Sequence, residues 1–215
     1  MLVGERMSQP VISIPPDMPL VDALNLMKRE RIRRTPVVKD GQLVGIVSDK
    51  DLLNASPSPA TSLSVWELNY LLSKITVREV MTRKVLTVNE DTPIEQAARI
   101  MADNKIGGLP VMRGEQVVGI ITETDLFKIL LELMGARDKG VRVTVTVHDE
   151  PGQLARLTQA ITNAGGNFVA FGTFTGEGQD NPLVTFKATG IPEEKMESLV
   201  KPLVVRIVDI RECCD

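Results

Sequence analysis

Histidine and cysteine, the residues most often used in catalysis and metal binding, are almost missing from this sequence of 215 residues. His148 is the single histidine, so a site built from several histidines is excluded, and a Ser–His–Asp triad or a Cys–His pair would have to use it. Cys213 and Cys214 are adjacent near the end of the sequence, and one vicinal pair makes no disulfide framework. We interpret both cysteines as tail residues and His148 as an exposed strand-end residue.

Several other signals are also absent. No apolar run reaches the ~18–20 residues that span a bilayer, and the first residues lack the apolar stretch of a signal peptide. The net charge is −3, whereas a general nucleic-acid binder carries a basic excess. No phosphate-binding glycine loop, nucleophile elbow or zinc-protease motif occurs. We therefore expect a cytoplasmic protein that is not an enzyme, binds no metal, and acts on neither nucleic acid nor membrane.

An internal repeat is the strongest feature that is present. A shift of 74 residues aligns residues 7–53 with 81–127 without a gap, and 15 of the 47 positions are identical. The identical pairs include Pro36/Pro110, Gly45/Gly119 and Asp51/Asp125. Self-similarity at one fixed offset indicates that a single supersecondary unit occurs twice.

Each copy of the repeat predicts the order β-α-β-β-α. In each copy a short strand (residues 11–14 or 85–88) precedes a helix that opens at a proline, Pro19 or Pro93. Two strands follow, and then a second helix that opens at a hydroxyl residue, Ser48 or Thr122. Between the copies, residues 54–64 predict a loop and residues 65–74 a helix that packs through Trp66.

The last third of the sequence has a different pattern. Val141, Val143, Val145 and Val147 alternate with polar residues, which is typical of a half-buried strand. A turn and a helix follow, and the remaining pattern completes the order βαββαβ. The predicted domains are a first repeat with its linker at 1–64, a second repeat at 65–135, and a third domain at 136–215.

These motifs allow two resemblances to be stated. The repeat resembles a tandem pair of CBS domains, or Bateman module, through the Pro36-Val37 and Pro110-Val111 strands, Met81-Thr82, and the motifs Gly45-Ile46-Val47-Ser48-x-x-Asp51 and Gly119-Ile120-Ile121-Thr122-x-x-Asp125. The last segment resembles an ACT domain through Asp149-x-Pro151-Gly152-x-Leu154 and Gly165-Gly166-Asn167-Phe168. The resemblance implies a fold of mixed α+β and α/β class, with two βαββα repeats related by a pseudo-two-fold axis and a ferredoxin-like βαββαβ domain. The CBS-CBS-ACT order is similar to acetoin-utilisation proteins of the AcuB type.

The two Ser/Thr-x-x-Asp motifs have two interpretations. In a capping box, the hydroxyl accepts from the backbone of the third helical residue and the carboxylate accepts from the cap residue. In a nucleotide site, the carboxylate accepts from the ribose hydroxyls, and the helix N-terminus suits a phosphate. The CBS resemblance favours the nucleotide site, because Asp51 and Asp125 match the ribose-binding position of that family.

The resemblance implies two crossed clefts between the repeats. In one cleft, Ser48 and Asp51 would face residues of the second copy, namely Lys84, Val85, Ile106, Gly107 and Gly108. In the other cleft, Thr122 and Asp125 would face residues of the first copy, namely Val11, Ile32, Arg33 and Arg34. The expected ligands are AMP, ADP, ATP, NAD or S-adenosylmethionine. Arg33 and Arg34 either belong to a solvated helix end or bind a phosphate. The second alternative predicts that the Asp125 cleft prefers the more anionic ligand.

The ACT resemblance implies a further candidate site. Asp149 is a candidate helix N-cap and Gly152 a helix-opening glycine near close-packed backbone; with Asn167 across an interface, this loop would bind a free amino acid. We predict a non-catalytic sensor that forms a homodimer, binds an adenine nucleotide or adenosyl ligand, and regulates an unidentified target protein. The alternative is a structural dimerisation module with empty clefts.

Overall fold

The computed structural model describes residues 1–55, 74–175 and 181–213 of the chain. Two compact units, Met1–Leu126 and Phe127–Asp215, divide it. No helix within the described ranges is long and apolar enough to cross a membrane. The helix predicted at 65–74, with Trp66, lies almost wholly outside these ranges, and so does most of the predicted loop before it. That loop was placed from Asn54, which instead ends a helix.

The first unit contains the first copy of the repeat and the second copy as far as the start of its last helix. The predicted helices and strand pairs are present, and a short helix that was not predicted precedes each copy. The first copy comprises α1 (Val3–Arg6), α2 (Leu20–Glu30), β1 (Arg34–Lys39), β2 (Gln42–Ser48) and α3 (Asp49–Asn54). The second comprises α4 (Val77–Val80), β3 (Val88–Asn89), α5 (Ile94–Asn104), β4 (Gly108–Arg113), β5 (Gln116–Thr122) and α6 (Glu123–Leu133). Strands β1 and β2 pair antiparallel, while β4 pairs antiparallel with β5 and parallel with β3.

The two long helices of the repeats have the same length and the same ends. Pro19 and Pro93 are the N-caps, so each helix begins one residue later than predicted. Both helices stop at a left-handed residue, Arg31 or Lys105, each with φ 54°. The amide of that residue donates to carbonyl groups of the last turn, which therefore keep hydrogen-bond partners where the helix ends.

The first strand of each copy is shorter than predicted. In the first copy only Ile14 pairs, and it does so with Val37; Ile14 N–H donates to Pro36 O at 3.1 Å. In the second copy the pairing extends over Val88–Asn89. Pro15 stands at the position equivalent to Asn89, whose N–H donates to Thr92 Oγ1 at 3.1 Å.

A short helix precedes each copy and packs into the core of the other copy. Val3, in α1, belongs to the second copy's core, and its N–H donates to Thr92 O at 2.9 Å. Val77, in α4, belongs to the first copy's core, and its N–H donates to Met18 O at 3.0 Å. We call residues 1–8 and 75–82 the exchanged arms. The sequence alignment began at residue 7 and therefore left out residues 1–6 and 75–80, which contain both short helices.

The second unit has the predicted βαββαβ order of a ferredoxin-like domain. Its elements are β6 (Gly140–Thr146), α7 (Gln153–Asn163), β7 (Asn167–Phe174), β8 (Leu183–Thr189), α8 (Glu193–Val200), a 3₁₀ turn (Lys201–Leu203) and β9 (Arg206–Cys213). The antiparallel sheet has the order β7-β8-β6-β9. The alternating valines of β6 pack against Leu157, Phe186 and Met196 on the face covered by the helices.

Polar residues in β6 and β8 of this sheet are buried and paired. The hydroxyls of Thr144 and Thr185 lie 3.0 Å apart. Lys187 is only 3% exposed, and its Nζ donates to the carbonyl oxygens of Gly135 (2.8 Å) and Asp138 (2.9 Å). Burying an ammonium group is costly unless it is hydrogen-bonded, so these contacts fix the segment that follows α6.

Candidate functional site

The two Ser/Thr-x-x-Asp motifs lie at the starts of α3 and α6. Asp51 Oδ2 accepts from the Ser48 amide (2.8 Å) and hydroxyl (2.7 Å), and the Asp51 amide donates to Ser48 Oγ at 3.3 Å. Asp125 Oδ2 accepts from the Thr122 amide (3.0 Å) and hydroxyl (2.7 Å). All capping contacts of Asp51 to the described residues use Oδ2, which leaves Oδ1 available. Capping and ligand binding are therefore compatible in one carboxylate.

A cavity of about 320 Å³ opens beside Ser48 and Asp51, between the two repeats. Its volume lies at the lower end of the range of small-molecule sites, ~300–1,000 Å³. Residues of both repeats line it: Arg34, Ile46, Val47, Ser48 and Asp51 from the first, and Thr82, Lys84, Val85, Leu86, Lys105, Ile106, Gly107 and Gly108 from the second arm and repeat. The seven residues predicted for this cleft are thus brought together, and Arg34 and Lys105 add positive charge that the sequence analysis did not place here.

The exchanged arms explain this crossed lining. Thr82 pairs with Ile46 in β2, which carries Lys84 and Val85 to the side of Ser48. Ser8 pairs in the same way with Ile120 in β5, on the side of Thr122. The second arm therefore contributes to the wall of the cavity beside the first repeat, and the first arm lies in the equivalent place beside the second repeat.

The residues predicted for the second cleft are only partly brought together. Arg33 Nη2 donates to Thr124 Oγ1, in the first turn of α6, at 3.2 Å. Val11 follows the arm that pairs with Ile120, and it is half-buried. Ile32 packs partly against the core of its own repeat.

Arg34 points into the Asp51 cleft rather than lying beside Thr122 and Asp125, where the sequence analysis placed it. Arg33 and Arg34 are adjacent where β1 begins, and successive side chains of an extended chain point to opposite sides. The Arg34 guanidinium lies against Gly107 and Gly108; a Cβ at Gly107 would collide with its nitrogens, and one at Gly108 would lie 2.9 Å from Arg34 Cδ. A side chain at Gly107 or Gly108 would therefore displace the guanidinium from this position.

The charges around Arg34 come from both repeats. Desolvation lowers the pKa of Arg34, and the carboxylates of Glu123, Asp49 and Asp51 oppose that shift. Asp49 and Glu123 occupy equivalent positions under the 74-residue shift. The guanidinium is therefore influenced by the second-helix starts of both copies.

The candidate amino-acid site of the ACT segment differs from the prediction. Asp149 is exposed and is not the cap of α7: the cap is Gly152, whose φ is 86°. No atom lies within 4 Å of a Cβ built at Gly152, so the left-handed backbone, rather than close packing, accounts for the glycine. His148 is exposed, as predicted.

Asn167 lies far along the sheet from that loop within one chain. It pairs with Thr189 at one end of β8, whereas Thr146, which precedes the loop, pairs with Leu183 at the other end. A site that combined Asn167 with Asp149 and Gly152 would therefore need a second copy of the chain.

Comparisons with known proteins agree with both predicted resemblances. The CBS domain model matches residues 3–58 and 77–132, and the model of the TTHA0829-like ACT domain matches residues 139–211. The chain belongs to the CBS domain family. It carries two tandem CBS domains, followed by an ACT domain of the TTHA0829-like type, as the sequence motifs predicted.

Three solved structures illustrate what the CBS pair is similar to. A Vibrio cholerae protein named for acetoin utilization (AcuB) is 32% identical, with a TM-score of 0.53 over 63% of this chain and 93% of its own. The CBS pair of MJ0100, in complex with 5′-methylthioadenosine and S-adenosyl-L-methionine, is 30% identical, with a TM-score of 0.51 over 60% and 95%. CBSX2, in complex with AMP, is 31% identical, with a TM-score of 0.52 over 61% and 97%.

Proposed function

We propose that this chain is a non-catalytic regulatory protein that binds an adenine nucleotide or adenosyl compound between its CBS repeats. The cavity beside Asp51, lined crosswise by both repeats, is the observation that carries the proposal. AMP, ADP, ATP, NAD and S-adenosylmethionine are the candidate ligands; the AMP complex of CBSX2 and the S-adenosylmethionine complex of MJ0100 support this set.

The cavity contains the groups that an adenosyl ligand requires. The ribose hydroxyls would donate to Asp51, whose Oδ1 is not used in capping. Val85 and Ile106 offer apolar surface to the purine, and the cations of the cleft face any phosphate. Because both repeats line the cavity, a bound ligand would stabilise one arrangement of the two repeats over others.

The remaining predicted residues are part of the same proposal. Thr122 and Asp125, with Val11, Ile32 and Arg33, would form the second cleft. The proposed domain limits are 1–64, 65–135 and 136–215. We assign the ACT domain to homodimerisation or to sensing a free amino acid through Asp149, Gly152 and a partner copy's Asn167. The likeness to AcuB supports acetoin utilisation as the biological setting.

A thermal-shift screen of the full chain tests this function. The ligands are the five adenosyl compounds and the free amino acids, each at several concentrations. Binding at ~100 times Kd stabilises the folded state by roughly 2.7 kcal/mol, so a true ligand raises the melting temperature clearly.

Variants locate the site in the same screen. Asp51→Ala combined with Asp125→Ala should abolish the nucleotide-dependent shift, whereas Asp22→Ala, an exposed aspartate on α2, should retain it. If no adenosyl compound shifts the wild-type melting temperature, the chain is instead a structural dimerisation module.

A further inference from the structure

The second exchanged arm ends in a methionine whose sulfur lies against the backbone of the first repeat. Met81 precedes Thr82, which pairs with Ile46, and Gly45 precedes Ile46. A Cβ built at Gly45 would lie 2.5 Å from Met81 Sδ. The sulfur therefore occupies the space that a side chain at Gly45 would fill, directly next to the bridge that holds the arm.

The first arm has the same arrangement around Met7. A Cβ at Gly119 would collide with Met7 Sδ, and Ser8 exchanges two backbone hydrogen bonds with Ile120 (2.9 and 3.2 Å). The two methionines differ in exposure, because Met7 is only 8% exposed whereas Met81 is half-buried. A small solute in water therefore reaches Met81 more readily than Met7.

A polar atom added to the Met81 sulfur would disturb the docking of the arm. Oxidation to the sulfoxide converts a flexible apolar side chain into a polar one. Met81 packs against the apolar core of the first repeat, and burying a polar oxygen without a hydrogen-bond partner is costly. An outward movement of the arm would hydrate the oxygen and break the bridge between Thr82 and Ile46.

The second arm leads directly into the wall of the candidate adenosyl cavity. Thr82, Lys84 and Val85 line that cavity. Backbone hydrogen bonds of 2.9 and 3.0 Å join Thr82 to Ile46 and hold this wall in place. Met81 is not among the described residues that line the cavity, so a change at its sulfur acts on a ligand only through the position of the arm.

From this placement, and resting on the proposed function, we propose that Met81 is an oxidative modification site that controls ligand binding. The sulfur attacks one oxygen of hydrogen peroxide, the S–O bond forms, and the O–O bond breaks. Sulfur loses two electrons, and the other peroxide oxygen leaves as water with both protons. The sulfoxide releases the second arm, the cavity wall moves, and the adenosyl ligand dissociates. Methionine sulfoxide reductases reverse the change.

Peroxide treatment of the full chain, followed by calorimetric titration with AMP, tests the proposal. All proteins carry Asp125→Ala, so that only the Asp51 cleft is measured, and dithiothreitol is added afterwards to reduce any disulfide or sulfenic acid. The oxidised chain should bind AMP at least tenfold more weakly, and methionine sulfoxide reductases A and B together should restore the affinity. Peptide mass spectrometry should show that Met81 is oxidised before Met7.

Met81→Leu conserves the volume of the side chain and forms no sulfoxide. Its affinity for AMP should lie within threefold of that of the reduced parent and should survive peroxide. Met18→Leu is the matched control, because Met18 is also half-buried against the core of the first repeat but lies outside the arms. Peroxide should weaken AMP binding to this control as it does in the parent. Bound AMP should slow the oxidation of Met81 at least threefold and leave that of the exposed Met1 unchanged.

Hydrogen exchange measures the state of the arm without a ligand. The amides of Thr82 and Ile46 should exchange at least tenfold faster in the oxidised chain, but not in peroxide-treated Met81→Leu.

Three results would overturn the inference. They are unchanged amide exchange in a chain whose Met81 is fully oxidised, an equal loss of AMP affinity in Met81→Leu, and an unreacted Met81 at peroxide concentrations that oxidise Met1 completely. In all three the reduced chain still binds AMP, so the proposed function stands. If no adenosyl compound binds the reduced chain, the proposed function fails together with the control of ligand binding, and faster amide exchange would then support only the release of the arm.

Discussion

The two CBS repeats share the length of their first long helix and the register of their antiparallel strand pair, but differ in side chains beside the cleft. Their strand pairs share one register, with Val37 opposite Gly45 and Val111 opposite Gly119, and both have an irregularity at the next residue. The segment where β1 and β4 begin instead changes from Arg33-Arg34 to Gly107-Gly108. Duplication has kept the geometry, so the electrostatics of the two clefts can differ without any change of fold.

A buried position shows the same divergence inside the cores. Thr35 and Leu109 are equivalent, and both are fully buried. The Thr35 hydroxyl donates to Ile12 O, whereas Leu109 packs in an apolar cluster. The first repeat thus replaces part of its packing with a hydrogen bond.

The largest expected effect concerns these two core positions. Leu109→Ala should lower the free energy of unfolding by about 2–5 kcal/mol, because it removes buried methyl groups and leaves a cavity. Thr35→Val keeps the volume and loses one hydrogen bond, so it should cost about 1–3 kcal/mol. Urea denaturation of the full chain measures both. Equal costs would contradict the contrast between the two cores.

The next effect concerns the glycine under the Arg34 guanidinium. Gly107→Ala should displace Arg34 and lower AMP affinity about tenfold, equivalent to roughly 1.4 kcal/mol of binding free energy. In an Arg34→Gly background the same change should have no effect, because nothing is left to displace. Calorimetric titration of AMP into the wild type, the two single variants and the double variant completes this double-mutant cycle. Additive losses would show that Gly107 acts independently of Arg34.

A smaller effect should be shared by the two repeats. Ser48→Ala and Thr122→Ala each remove a hydroxyl at a helix start, so each should destabilise the ligand-free chain by about 0.5–2 kcal/mol. Denaturation without ligand should show that the two variants lose the same free energy of unfolding to within about 0.5 kcal/mol. A large difference would mean that the two helix starts are not equivalent.

The smallest effect is confined to the second repeat. A hydrogen bond from Arg113 lowers the pKa of Glu90 from its ordinary value of 4.5, and the equivalent of Glu90 in the first repeat is Pro16. A carboxyl with a lowered folded-state pKa contributes stability above its ordinary pKa and loses it as the pH falls through the folded value. An NMR titration should give Glu90 a pKa below 4.5, and Arg113→Ala should raise that pKa to its ordinary value of 4.5.

Local and repetitive features of the fold were predictable from the sequence. The 74-residue shift identified two equivalent units because this comparison needs only the sequence itself. The spacing of Ser48 and Asp51 identified a capping box because those residues lie three apart in the chain. The exchanged arms were not found, although Val3/Val77 and Glu5/Glu79 are identical pairs just outside the aligned region. Helices of four residues carry too little periodicity to be recognised.

The clefts were predictable in composition but not in the direction of each side chain. The resemblance grouped Ser48 with Lys84 and Gly107, and these residues line one cavity. Arg33 and Arg34 were assigned together, although alternation along an extended segment would have separated them. The cap of α7 was misplaced because Gly152, rather than Asp149, adopts the backbone conformation that opens the helix.

The exchanged arms also impose an order on folding. Val3 belongs to a core completed by Val111 and Ile121, more than 100 residues later in the chain, and Val77 completes the core that begins with Ile14. Contacts of such sequence separation slow folding, because a long loop must close before they form. During synthesis, the first repeat can therefore complete its core once the second arm has left the ribosome, whereas the apolar face of the first arm stays unburied until most of the second repeat has followed.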